Sequence, residues 1–351
     1  MGPVGAELQA KDRRATVEAP DGARARLAMT VSALSRPGSY PHETRAIETI
    51  ETHMAFVFLT SAFAYKLKKP IRTALLDHTT IDARERACRT EIELNRRLAP
   101  DVYLAAVPVT VTNGAVRVEG TGAVIDWLVK MRRLPRRRML DACIEQNTVA
   151  PADVERIAAV LTRFYAAATR ASIGGPAYRA RIEADIDAKR AALAEPRYGL
   201  NDADLRAVVH GQKRWLARSG RLLEERAPWV VDAHGDLRPE HVCLEEPTPV
   251  VIDCLEFSQE LRWLDPVSEL SFLALECRRL GAAWIGERLL ARYAEMSQDR
   301  VSAALVRFYQ SYHALVRAAV AVWHLDDHAL DHSDRWTARG NWYLRVARAL
   351  V

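Results

Sequence analysis

Pro135 divides the 351 residues into two kinds of pattern. Before it, apolar residues fall in short runs broken by turn signals. After it they recur at helical spacing, interrupted once, between residues 233 and 257, by strand-like runs. Strands repeat every two residues and helices every 3.6, so such a chain folds as a small sheet followed by a larger helical region. In the front part, residues 56–59 (Phe-Val-Phe-Leu) read as a buried strand, 60–62 as a turn, and 63–69 as a second strand closed by Pro70. A helix is expected over 82–98, stopped by Ala99-Pro100. Asn113-Gly114 separates the runs 103–111 and 115–119 and predicts a hairpin, because these two residues accept the positive φ of a tight turn. Residues 124–131 complete the strands. A short helix over 28–34 precedes the Arg36-Pro37-Gly38 break, and residues 1–27, small, charged and without period, are expected to be loosely ordered.

Past Pro135, Val154, Ile157, Leu161, Phe164 and Ala168 mark one face of a helix, and another is expected over 202–225. Asp265 followed by Pro266 reads as an N-cap with proline at the first helical position; Leu270, Leu273, Ala274 and Cys277 give that helix its apolar stripe. The expected class is α+β: a β-rich lobe over 28–131 and a mainly helical lobe over 132–351.

Composition excludes several alternatives. With 49% hydrophobic and 27% charged residues the chain can bury an ordinary core. No run of about eighteen apolar residues occurs, and residues 1–19 lack the apolar stretch of a signal peptide, so no membrane partner and a cytoplasmic location are expected. Cys88, Cys143, Cys243, Cys254 and Cys277 are odd in number and form no CxxC pair, which favours free, buried thiols over disulfides or a zinc site. The formal charge of +5 and the run Arg132-Arg133-Leu134-Pro135-Arg136-Arg137-Arg138 lack the aromatic interleaving and tails of a nucleic-acid binder, so no nucleic-acid partner is expected. No GxxxxGK[ST] motif occurs in these residues.

The chemistry concentrates in two runs: His234-Gly235-Asp236-Leu237-Arg238-Pro239-Glu240-His241, and Val250-Val251-Ile252-Asp253-Cys254-Leu255-Glu256-Phe257. Phosphoryl transfer needs a carboxylate to orient the attacking hydroxyl, ligands for the metal on the phosphates, and a cation on the phosphates. Asp236, in a loop after His-Gly, suits the first task. Asp253, at the end of an apolar strand, suits the second. His234 suits a structural role in that loop. Glu256 fits either a ligand or a solvent-facing strand end, and Glu269 and Glu276 fit either an acidic acceptor pocket or a helix surface.

His234-Gly235-Asp236-Leu237 and Ile252-Asp253 resemble the catalytic and metal-binding loops of the aminoglycoside phosphotransferase-like family, which shares its fold with choline kinases and protein kinases. Glu51-Thr52-His53, Tyr65-Lys66-Leu67-Lys68-Lys69-Pro70, residues 91–103 and 129–133 resemble the front-half signatures of a bacterial branch of it, so that the likeness covers roughly residues 40–280. The resemblance implies a bilobal kinase-like fold and ATP-dependent transfer of the γ-phosphoryl group to a hydroxyl of a small-molecule acceptor. By matching position it implies Asp236 as base and Asp253 as the main Mg2+ ligand. It also implies Lys66 on the α- and β-phosphates with Glu91 as its partner. The strand ending at Met131 would lead to the adenine site. Lys68 shares the strand face with Lys66, and either lysine suits the phosphate role. The family places Asn five residues after the base. Here His241 stands there, a ligand that suits Mn2+ better than Mg2+; this departure also leaves open a pseudokinase-like nucleotide-binding module without turnover. The acceptor, ATP versus GTP, and the oligomeric state are not legible in the sequence.

Overall fold

The structure, a computed structural model, describes residues 21–73, 75–326 and 333–351. The loose extension expected over 1–27 lies outside them as far as residue 20. The chain divides into two compact units. One holds the described residues up to Arg138 together with Val250–Ser258; the other holds Met139–Pro249 and Gln259–Val351.

The first unit is built on an antiparallel sheet. Helix α1 (Asp21–Leu34) is followed by strands β1 (Glu48–Glu51), β2 (Ala55–Leu59) and β3 (Phe63–Lys68). Helix α2 (Ile81–Asn95) intervenes before β4 (Tyr103–Thr112), β5 (Ala115–Val118) and β6 (Ala123–Arg132). The spatial order is β1-β2-β3-β6-β4-β5. Strand β1 was not expected from the sequence: Glu-Thr-Ile-Glu is exposed throughout and adds an edge rather than core. The β4–β5 turn has positive φ at both Asn113 (51°) and Gly114 (78°), the conformation a two-residue hairpin demands.

The period-two alternation of β3 sorts its residues onto two faces. Tyr65 and Leu67 join a buried cluster with Leu34, Tyr40, Phe58, Val107, Val109, Val116, Val118 and Leu128. Lys66 and Lys68 face the other way, towards α2. That helix starts at Thr80, whose hydroxyl accepts from the Ala83 amide at 3.1 Å. Its buried residues, Arg84, Cys88, Glu91, Ile92 and Asn95, keep helical spacing, yet three of the five are polar. The Arg84 guanidinium lies bidentate on Asp126 of β6, at 2.7 and 3.0 Å, and fixes the helix to the sheet.

In the second unit α3 (Pro151–Ala167), α4 (Gly175–Leu193) and α5 (Asp202–Glu224) precede the loop region. After it come α6 (Pro266–Arg279), α7 (Ala283–Ser297), α8 (Ala303–Trp323) and α9 (Ser333–Leu350). Helix α6 packs on α7 and α8, and α8 packs on α9. Asp265 caps α6 through the Val267 amide at 3.0 Å, as its position before Pro266 predicts. It also takes both arms of Arg226 at 2.7 Å and the Tyr309 hydroxyl at 2.8 Å, so the cap is a buried junction of three elements. The expected one-sided stripe on α6 falls short: Pro266 to Cys277 are all buried, because α6 is enclosed on every side. Glu269 and Glu276 are therefore 0% exposed and do not form a helix surface. All five cysteines are buried thiols outside any disulfide.

Candidate functional site

In the sheet unit, Lys66, Lys68, Glu91 and Asp253 come together. The Lys66 ammonium donates to Glu91 Oε1 at 2.9 Å and to Asp253 Oδ1 at 2.7 Å. Lys68 donates to Glu91 Oε2 at 2.5 Å and to Glu256. One buried carboxylate on α2 thus holds two lysines from adjacent positions on one face of β3. Their surroundings differ: Lys66 keeps 17% of its side chain exposed and faces Asp253, itself 43% exposed, whereas Lys68 is 2% exposed. Glu256, 12% exposed, is the inward partner of Lys68 rather than a solvent-facing strand end. Burial pulls the Lys66 ammonium down, but Asp253 and Glu91 outweigh it and hold its pKa well above the ordinary lysine range. Burial pushes the Glu256 carboxyl up, and Lys68 with Lys66 overcomes it and holds it low.

Asp253 has φ 63°, in the left-handed region that Asp tolerates better than most residues. Two side chains hold it there. The Tyr103 hydroxyl accepts from the Asp253 amide at 3.0 Å, and Asn95 Oδ1 accepts from the Cys254 amide at 2.8 Å. Asn95 also donates to the Glu91 carbonyl at 2.8 Å. Sequence reasoning missed both residues; the one signal was Asn95, a poor helix former one turn beyond Glu91. Met131 is buried near the end of β6, in register with Ala64 and Tyr103.

The helical unit holds the other carboxylate. His234 is fully buried and its Nδ1 accepts from the Asp236 amide at 3.3 Å, which fits its expected structural role. Gly235 has φ 89°, so the loop needs a glycine there. Beneath the loop, Glu269 of α6 accepts from the amides of Gly235 at 2.6 Å and His234 at 3.2 Å, and from the Tyr165 hydroxyl at 2.8 Å. Asp236 keeps 30% of its side chain exposed and takes the Arg238 guanidinium at 3.0 Å; Arg238 reaches Glu240 at 3.1 Å as well. Sequence reasoning gave Arg238 no role of its own and offered Glu269 only as part of an acidic acceptor pocket or of a helix surface; its bonds to the loop amides were not foreseen.

His241 does not present a ligand nitrogen. Its Nδ1 lies 2.8 Å from the Asp236 carbonyl, which can only accept, so Nδ1 carries the proton. Its Nε2 then accepts from Arg238 at 3.0 Å. In this arrangement both ring nitrogens are bonded within the loop. Among the described residues no group of three or more His, Cys, Asp or Glu side chains is arranged to hold a metal by protein atoms alone.

A sheet unit carrying a lysine–glutamate pair and a helical unit carrying a His-Gly-Asp loop are the parts of a kinase-like fold. Solved structures with that fold resemble this chain. A choline/ethanolamine kinase family protein of Mesorhizobium loti is 14% identical, covers 92% of this chain and 99% of its own, and gives a TM-score of 0.53. A choline kinase of Streptococcus pneumoniae is 16% identical, with 88% and 94% covered and a TM-score of 0.52. Residues 64–315 match the model of the phosphotransferase enzyme family, and the chain belongs to that family. An uncharacterized protein of Mycobacterium tuberculosis is 32% identical over 290 residues, or 78% of this chain and 54% of its own length, and one of Mycobacterium bovis matches equally. The chain therefore spans about half the length of these curated relatives. Among the described residues no helix is long and apolar enough to cross a membrane.

Proposed function

We propose that the protein transfers the γ-phosphoryl group of ATP to a hydroxyl of a small molecule. The observation that carries this reading is the chain Glu91–Lys66–Asp253, in which a buried carboxylate presents a part-exposed ammonium to an exposed one. In this reading Lys66, rather than Lys68, holds the α- and β-phosphates, because Lys68 is enclosed between Glu91 and Glu256. Asp236 orients the attacking hydroxyl and accepts its proton, and Arg238 beside it brings positive charge to the transferring oxygens. The backbone after Met131 receives the adenine ring.

Asp253 fits a hard divalent cation: its oxygens are of the type Mg2+ takes and its side chain reaches solvent. Mg2+ on Asp253 and the phosphate oxygens would neutralise charge on the leaving group. His241, a nitrogen donor already bonded at both ring atoms, does not fit as its second ligand, so neither Mg2+ nor Mn2+ is assigned to it.

A second reading, a nucleotide-binding module without turnover, is favoured by that same locked His241. Phosphate release from ATP with Mg2+, measured for the native chain and for Asp236→Ala and Asp253→Ala, separates the two. Turnover is expected, reduced about 10²–10⁴-fold by Asp236→Ala. Unchanged turnover in Asp236→Ala would remove the base assignment. Nucleotide binding without release in the native chain would establish the binding module.

A further inference from the structure

Helix α6 leads from the Asp236 loop into a set of arginines for which the phosphotransfer chemistry described above has no use. Glu269 holds the loop, and Glu276 lies two turns further along on the same face, about 10 Å away. The turn at Pro239–His241 packs against α6 as well. Glu276 is fully buried and serves three groups at once. Tyr343 donates to it at 2.5 Å, Arg279 pairs with it at 2.8 Å, and the Arg317 Nε stands 3.4 Å away. The Arg317 Nε is buried and makes no hydrogen bond. Arg317 lies 5.9 Å over the rings of both Phe272 and Tyr343, which aligns its guanidinium without neutralising it.

Arg339 approaches the same place from α9, one turn before Tyr343, and lies 5.1 Å over the Trp336 ring. It has no carboxylate partner among the described residues. Burial, and next the Arg279 guanidinium, pull its pKa below the ordinary arginine range; burial pulls Arg317 down as well, but Glu276, then Tyr343 and Asp236, outweigh it and raise its pKa. Two other acids stand nearby, Asp236 and Glu240, but Arg238 already pairs with both. Two guanidiniums, of Arg279 and Arg317, therefore converge on one buried carboxylate, and Arg339 stands on α9 one turn before the tyrosine that shares it. Excess buried positive charge is costly unless an anion completes it.

We propose that Arg279, Arg317 and Arg339 form the subsite for an anionic group of the acceptor, so that the hydroxyl compound phosphorylated beside Asp236 carries a carboxylate or a phosphate. This rests on the phosphotransferase reading and names its substrate class. A cationic acceptor, such as an amino alcohol or an aminoglycoside, would meet three like charges there.

The experiment is calorimetric titration of the full chain with glycerate, glycerol 3-phosphate, uncharged glycerol and ethanolamine. A non-hydrolysable ATP analogue is kept saturating, so that no anion occupies the place of the nucleotide phosphates. At least one anion is expected to bind tenfold or more tightly than glycerol, and the two anions tell a carboxylate subsite from a phosphate one. Arg339→Gln, which removes no internal ion pair, is expected to weaken that anion about tenfold or more, the usual worth of a charge-assisted hydrogen bond. The exposed Arg335→Gln is expected to change it less than threefold. Equal binding of glycerol and both anions, preference for ethanolamine, or native anion affinity in Arg339→Gln would each overturn the proposal. Separate titration with the analogue reports on the kinase reading alone: if it fails to bind while anions still bind through Arg339, the phosphotransferase reading falls and the subsite stands.

Discussion

Replacing each of the two β3 lysines by Met asks which of them serves the fold and which the ligand. Lys68→Met strands Glu256, 12% exposed, and removes one of the two cations on the fully buried Glu91. Breaking a buried pair in this way costs about 3–5 kcal/mol. Lys66→Met leaves Glu91 still paired to Lys68, and the other carboxylate it abandons, Asp253, is 43% exposed and resolvated, so about 1 kcal/mol is at stake. The difference of about 3 kcal/mol corresponds to a melting temperature lower by roughly 6–12 °C for Lys68→Met, at the slope usual for a domain of 150–250 residues. Thermal unfolding followed by circular dichroism measures this, and titration with ATP and Mg2+ measures the other side. Lys66→Met is expected to retain the fold and lose nucleotide affinity, whereas Lys68→Met is expected to keep affinity at temperatures where it is folded. If Lys66→Met proved the less stable protein, or only Lys68→Met lost nucleotide binding, the division of labour derived from burial would be wrong.

Glu269→Gln replaces a carboxylate that receives two loop amides and a tyrosine hydroxyl. Turnover is expected to fall about 10–100-fold with little change in the KM for nucleotide, since Asp236 is displaced and not removed; a change in KM alone would count against a positioning role. Acid stability is governed in part by His78 and His313, both pushed down to about 4 chiefly by burial. The folded chain refuses protons that the unfolded chain accepts, so stability is full above about pH 6.5 and declines as pH falls towards 4, by up to about 3 kcal/mol per histidine. Urea unfolding at pH 7 and pH 4.5 should show this loss, and the double variant His78→Gln/His313→Gln should flatten it; parallel pH profiles would refute it.

Period and turn chemistry made the sheet unit legible. The strands at 56–59 and 63–69 lie within a residue of β2 and β3, and Asn113-Gly114 sits at the hairpin turn. Asp236 and Asp253 stood out from their local sequence, but the lysines and Glu91 through family likeness, since spacing alone cannot bring Lys66 to a residue 187 positions away. What stayed hidden is the buried polar layer. Arg84 on Asp126, Asn95 and Tyr103 on the backbone of residues 253–254, and Glu269 under the His-Gly-Asp loop all occupy positions that a hydrophobic pattern reads as surface. Their partners lie far along the chain, and a carboxylate enclosed by donors looks the same in sequence as one in water. The hydrogen bonds of His241 and the burial of Glu276 stayed hidden for the same reason.

The left-handed backbone at Asp253 restricts how this chain could change over generations. A position with φ 63° admits Asp, Asn and Gly at little cost and penalises branched or bulky residues. Mutation there has few destinations that leave the architecture intact, and each of those other than Asp lacks the negative charge. A descendant that abandoned chemistry while keeping its shape would be expected to carry Asn or Gly at this site, so that one residue would announce the loss.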